Sequence, residues 1–343
     1  MNYLSAINRL SAAPGPSGFE GAVARVALEM LSPLVGEAYL DRMGNVVGLR
    51  PCGKPGAKKV LLDAHQDEIG FIITGQEEGY LRFAPLGGFD PRMLPDRELT
   101  VLTDPPRLGV VACLPPHIQS REDMDKSQPI SELYLDLGLT EDEAKAIPIG
   151  TPAVYRTGCL ALGKDLLSGK ALDDRACFVL LLRALELLEG EELDVDLMVL
   201  GSTQEETHST GAITAAYGLR PDLCVAVDVT HGDSPDASKD KTFPLGKGPV
   251  IGLGPNCTKW ISDLMRRCAK EMDLNVQLEV MSGSSGTNGW PLQVSREGIA
   301  TGVLSLPLRY MHTPIETAHQ GDMEDTARLL AEFIRRVGKE GAL

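Results

Sequence analysis

The stretch Gly201-Ser202-Thr203-Gln204-Glu205-Glu206 decides how the chain is read. It follows a short apolar run, Asp196 to Leu200, that has the length and composition of a buried strand. It ends in two adjacent carboxylates, and Gly211 follows shortly after. Two neighbouring acids at the carboxyl end of a buried strand are costly unless positive charge lies beside them. A metal ion is the usual source of that charge, so the rest of the chain is searched for further ligands.

Composition sets the bounds. The chain has 343 residues, 43% of them hydrophobic, with a formal net charge of -15. That length suits one large or two ordinary domains. The acidic balance argues against nucleic-acid binding, because neutralising phosphates needs basic clusters and none are present. It suits a cation-binding protein, although a solvated acidic surface has the same composition. The seven cysteines are scattered, with no CxxC pair. They predict no disulfide framework and a reducing, cytoplasmic setting. Cys177 and Cys224 read as small buried apolar residues. The first residues lack the basic and apolar regions of a signal peptide, and no apolar run approaches membrane-spanning length.

Outward from the acidic pair, several segments have the same form: a short strand running into polar residues. Lys58 to His65 (KKVLLDAH) is one, with Asp63, His65 and Asp67 two residues apart and on one face if the strand persists. A His-X-Asp step lets the imidazole ligate a metal while the carboxylate orients the ring; a buried His satisfied by an acid would look the same. Leu223 to Val229 (LCVAVDV) is a second buried strand, with Asp228 near its end and His231 just beyond as another candidate partner. Ile299 to Leu306 is a third, and His312 falls past its end. Asp173 and Asp174 precede the apolar helical run Ala176 to Leu188, where Asp is also a favoured N-cap. In open α/β sheets, sites are built at the carboxyl edge of the strands.

Residues 68–165 differ in texture. Short β-like runs (Gly70 to Ile73, Tyr80 to Phe83, Glu98 to Leu102, Gly109 to Cys113, Pro152 to Tyr155) alternate with Pro and Gly clusters. This spacing predicts a small β unit, inserted into an α/β domain made of residues 1–67 and 166–343. His117 and His208 read as surface or loop residues. The run Ser282 to Gly289 lacks the Lys-Ser/Thr ending of a P-loop and reads as a backbone approach to a ligand or a flexible turn.

The candidates are therefore His65, Asp67, Asp173, Glu205, Glu206, Asp228 and His312. Two imidazoles and three carboxylates, one of them bridging, are enough for two zinc-like ions, with one carboxylate left as general base. Such a pair of ions hydrolyses an amide or ester without a nucleophilic side chain, and no GxSxG or Cys/His signature is present.

Nearly the whole chain resembles the TET-type metallo-aminopeptidases, the family of glutamyl and leucyl aminopeptidases once labelled endoglucanase M. The resemblance is carried by PGPSGFE (Pro14 to Glu20), DRMGNV (Asp41 to Val46), HQDEIGF (His65 to Phe71), PPH (Pro115 to His117), ALDDR (Ala171 to Arg175), QEE (Gln204 to Glu206), DVTHGD (Asp228 to Asp233) and LRYMHTPIE (Leu308 to Glu316). It implies a three-layer α/β/α catalytic domain with an inserted β-barrel-like dimerisation domain, and self-association into dimers and dodecamers. It implies two divalent metal ions per chain, zinc or else cobalt or manganese. By the same resemblance Asp173 bridges the ions, His65 and Asp228 complete one, and Glu206 and His312 complete the other. Glu205 is the base that deprotonates the bridging water, and Asp67 stands behind His65. The implied activity is removal of the N-terminal residue from short peptides. A weakly active structural subunit of a TET-like assembly, or an N-acyl deacylase or carboxypeptidase on the same scaffold, are the competing readings. The sequence departs from the family at Thr207 to Thr210 and at Asn288, where relatives carry an acid near the site; the second bears on substrate preference.

Overall fold

The computed structural model describes residues 1–121, 126–235 and 237–340. Two helices open the chain, α1 (Tyr3–Ser11) and α2 (Gly21–Leu31), followed by the hairpin β1 (Glu37–Leu40) and β2 (Val46–Arg50) and by β3 (Lys58–His65). The chain then makes β4 (Gly70–Glu77), β5 (Tyr80–Leu86), β6 (Glu98–Val101), β7 (Arg107–Ala112), β8 (Tyr134–Asp136), the short α3 (Glu141–Lys145) and β9 (Pro152–Tyr155). These six strands close a barrel in the order β4-β5-β8-β7-β6-β9. Closure removes the unpaired edges that so small a sheet would otherwise expose. Its interior is a separate core that includes Phe71, Phe83, Leu99, Val111 and Leu135.

The chain next adds β10 (Leu160–Leu162), β11 (Leu166–Gly169), α4 (Leu172–Leu187), β12 (Val195–Ser202), α5 (Glu205–His208), α6 (Thr210–Leu219) and β13 (Leu223–His231). It ends with β14 (Val250–Leu253), α7 (Lys259–Glu271), β15 (Gln277–Val280), α8 (Gly289–Gln293), β16 (Ala300–Arg309), β17 (Glu316–His319) and α9 (Gln320–Glu340). The eleven-stranded sheet runs β1-β2-β12-β3-β13-β16-β17-β11-β10, with β14 and β15 branching from β16. Its centre, β12-β3-β13-β16, is parallel, so those four strands end at one edge.

Alternation in these strands fills both faces. Val60, Leu62 and Ala64 of β3 pack with α1, α2, α4, α7 and α9 in the main core. Leu61, with Leu200, Cys224 and Ala226, packs on the other face against Ala212, Ala215 and Ala216 of α6 and Leu292 of α8. Strands buried on both sides read as continuous apolar runs for this reason. The architecture is a three-layer α/β/α unit carrying a β-barrel. All seven cysteines are free. Among the described residues, no helix is long and apolar enough to cross a membrane.

Candidate active site

β12 delivers Thr203 to the carboxyl edge, and the chain then turns sharply. Gln204 adopts φ 58°, ψ 30°, a left-handed conformation uncommon for a residue with a side chain. The turn converts an extended chain, on which neighbouring residues point apart, into the first turn of α5, so Glu205 and Glu206 reach one cavity. Two carboxylates hold the turn. Glu20 Oε1 accepts the amide hydrogens of Gly18 (2.7 Å) and Gln204 (3.1 Å). Asp67 Oδ1 and Oδ2 accept those of Glu205 and Glu206, both at 3.1 Å. Asp67 also lies behind His65, with Oδ1 3.3 Å from Nδ1.

The other imidazole face is occupied by acids. His65 Nε2 is 3.1 Å from Asp173 Oδ1 and 4.0 Å from Glu205 Oε2. His312 Nε2 is 3.4 Å from Asp173 Oδ2 and 3.2 Å from Glu206 Oε2. Each oxygen of Asp173 thus faces a different imidazole. Asp228 Oδ1 accepts the amide of Val229 at 2.7 Å, and a donor atom of Asp228 lies within 4.8 Å of donor atoms on His65 and Asp174. A second such trio is His65, Asp173 and Glu206. All seven sequence candidates are brought together; six line one cavity of about 340 Å³, and Asp67 buttresses it from behind.

Electrostatics follow from this crowding. Burial, aided by the charges of Glu206, Asp67 and Asp173, pushes the Glu205 carboxyl up to about 8 against the pull of His65. Burial likewise raises Asp228 and Asp174 well above the ordinary carboxylate range. Burial would raise Asp173 too, but hydrogen bonds from His312 and His65 overcome it and hold the carboxyl low. Burial would lower His312, but Asp173 and Glu206 push it up to about 11. Glu206 Oε1 and Asp174 Oδ1 are buried without a hydrogen-bond partner among the described residues. Buried oxygens left unpartnered beside two imidazoles form the donor set that hard and borderline divalent cations take, so the residues fit a metal.

One further residue did not stand out in the sequence. Glu316 on β17 accepts amide hydrogens from Leu172 (2.8 Å) and Asp173 (3.1 Å) through Oε2, and from His312 (3.0 Å) through Oε1. It ties together the two loops that carry Asp173 and His312. Its only sequence signal is an acid in an otherwise uncharged buried strand. Asp174, read as a possible cap, accepts the His65 amide at 3.2 Å instead. Asn288 points away from the cavity: its Nδ2 donates to Asp63 Oδ2 (2.8 Å) and Ser202 Oγ (2.9 Å) at the sheet edge. Asp63 therefore serves this network and does not face the cavity. The loop before Asn288 does face the cavity, through Ser285, Gly286 and Thr287. His208 and His117 are exposed, and neither lines the cavity.

Fold and site together define a class: an α/β/α protein whose buried imidazoles and carboxylates, gathered at the carboxyl edge of a parallel sheet, form donor groups that could hold a metal ion. The profile of the M42 glutamyl aminopeptidase family matches residues 44–329, and the chain belongs to that family. It is 33% identical to a lysyl aminopeptidase of Pyrococcus furiosus over 340 residues, 96% of each chain. Among solved structures, aminopeptidase APDkam598 from Desulfurococcus kamchatkensis superimposes with a TM-score of 0.90 at 33% identity, covering 97% of this chain and 94% of that one. The TET1 peptidase of Pyrococcus horikoshii, described as assembling into a tetrahedron or a large octahedral shell, gives a TM-score of 0.85 at 26% identity, with 98% and 100% covered. The chain is a peptide hydrolase of the aminopeptidase kind.

Proposed function

We propose that this aminopeptidase works with two divalent metal ions and that Glu205 is its general base. The observation that carries this is Asp173, whose two oxygens face two different imidazoles at 3.1 and 3.4 Å, an arrangement that suits a bridging carboxylate. His65 and Asp228 would complete the holding of one ion, and Glu206 and His312 of the other. When bound, the ions, zinc or else cobalt or manganese, polarise the scissile carbonyl and acidify the attacking water. Glu205, which shares the cavity with the proposed ligands and has Oε2 4.0 Å from His65 Nε2, takes the proton from that water and passes it to the leaving amine. Asp67 holds the amides of Glu205 and Glu206 and backs His65, so it positions base and ligands alike. The acid-lined cavity favours the ammonium of a free N-terminus over a blocked one.

The barrel is the proposed dimerisation unit, inserted into a catalytic domain of the flanking segments. Exposed apolar residues on and near β7, namely Leu108, Val110 and Ile118, support this. Assembly of dimers into a dodecamer follows the example of the Pyrococcus horikoshii peptidase. A cytoplasmic location is in keeping with the free cysteines.

Glu205→Gln is the direct test. It should bind metal as the parent does, at about two ions per chain, and release N-terminal residues about 10²–10⁴-fold more slowly. Undiminished release by that variant would rule Glu205 out as the base.

A further inference from the structure

Two consecutive glycines of the barrel reach the metal donors. Gly87 and Gly88 directly follow β5, and Gly88 lines the cavity beside His65, Glu206 and His312. Gly87 has φ 91°, a conformation that suits glycine. A Cβ added to Gly87 would lie 2.8 Å from Ile69 Cγ2 and 3.4 Å from Glu206 Oε2. A Cβ on Gly88 would lie 3.1 Å from Nδ1 and 3.4 Å from Cε1 of His312, and beyond the adjoining residues would meet nothing else described within 4 Å. Each glycine faces one of the two residues proposed to complete the same ion. Neither has His65 or Asp228 among its nearest neighbours.

The turn is fixed to the barrel. Phe89, the next residue, packs on Phe71 with ring centroids 4.5 Å apart and against the rest of the barrel core. Ile69, beside Gly87, is a buried member of that core. His312 is fixed from the other side. Its backbone is left-handed, with φ 62°, and its amide donates to Glu316 Oε1 at 3.0 Å. Its Nε2 faces Asp173 and Glu206. What the backbone leaves open is rotation about the side-chain bonds, and Gly88 lies against the Nδ1 edge of the ring.

We propose that the Gly87-Gly88 turn positions His312, so that the barrel builds part of the metal centre, and does so only for the ion completed by Glu206 and His312. This rests on the two-ion reading of the site. The absence of a side chain at position 88 lets the barrel backbone approach the imidazole this closely. A methyl group 3.1 Å from Nδ1 overpacks the contact and pushes the ring away from Asp173 and Glu206. The barrel therefore has a task within its own chain, separate from any contact between copies.

The test is zinc titration of the chelator-stripped full chain, for the parent, Gly88→Ala, His312→Ala and the double variant. Gly88 is outside the left-handed region, so alanine there adds no backbone strain. The parent should take up about two ions per chain. Gly88→Ala should weaken one of them about 10–100-fold and leave the other within about twofold. His312→Ala should weaken the same ion, and adding Gly88→Ala to it should change nothing further, because the methyl then has no ring to meet. Gly75→Ala, at a barrel glycine whose added Cβ would meet only Arg82 Cβ at 3.9 Å, should titrate as the parent does. The unaffected ion reports a folded site within each sample. Parent-like binding of both ions by Gly88→Ala overturns the assignment, as does equal weakening of both, or an effect of Gly88→Ala that persists without the ring. A parent that binds fewer than two ions would instead remove the two-ion reading itself, and this proposal with it.

Discussion

Asp67 and Glu316 perform the same service from opposite sides of the cavity: a buried side-chain carboxylate collects backbone amides from the loops that carry the reactive groups. Asp67 takes two amides and backs an imidazole. Asp67→Asn keeps the shape but leaves one neutral amide oxygen as acceptor in place of two carboxylate oxygens. One α5 amide loses its acceptor, and His65 loses its anionic partner. Zinc affinity and peptide release should both fall about 10–100-fold, as read by metal titration and by kcat/KM; an unchanged metal affinity would remove Asp67 from the positioning role. The six cavity residues and Asp67 behind them were legible because each is a charged or imidazole side chain beside an apolar run, Asp173 just before one and the others past the end of one. Glu316 was not, because its task is to bind amides 143 and 144 positions away, and nothing in a sequence says which amides a carboxylate will find. Asn288 was legible as a departure, but the direction of its side chain, into the Asp63 and Ser202 network, depends on packing.

At the scale of elements, the turn between β12 and α5 depends on close approach. A Cβ added to Gly211 would lie 2.3 Å from Asn45 Oδ1 and 2.5 Å from both Thr203 O and Thr203 Oγ1. Asn45 Oδ1 already accepts the Thr203 amide at 2.9 Å. Gly211→Ala should therefore destabilise the protein by about 1–3 kcal/mol, measured by urea unfolding. A second junction is ionic. Glu68, just past β3, pairs with Lys170 Nζ at 2.5 Å and Arg175 Nη2 at 3.0 Å and accepts the Gly15 amide at 3.1 Å, all buried. Removing one member of a buried cluster leaves charge uncompensated, so Glu68→Gln should cost about 3–5 kcal/mol. Burial alone would raise the Glu68 carboxyl, but Arg175 and Lys170 hold it below its ordinary value of 4.5. A depressed carboxylate stabilises the fold above its unfolded pKa and loses that contribution as pH falls through the folded value. The parent should therefore lose stability more steeply than Glu68→Gln below about pH 5; parallel curves would contradict this. The long apolar strands β3, β12, β13 and β16 were evident from their runs. Three-residue strands such as β8 and β10 were not, since so short a segment carries no period, and the order β12-β3-β13-β16 is set by crossovers that local sequence does not encode.

At the scale of the molecule, the barrel carries exposed Leu108 (47%) and Val110 (41%) on one face of β7. Sedimentation should find the parent as dimers or multiples of dimers, and Leu108→Glu with Val110→Glu should shift it toward monomer, since neither side chain serves the barrel core. A parent that stays monomeric at micromolar concentration would detach the barrel from any role in assembly. The central claim, a cation-dependent enzyme that recognises a free N-terminus, is tested most directly by following one short peptide, free and N-acetylated, before chelation, after chelation and after zinc is returned. The prediction is release of the first residue from the free peptide only, lost with the chelator and restored by zinc. Cleavage that survives chelation, or that proceeds equally on the acetylated peptide, would contradict it.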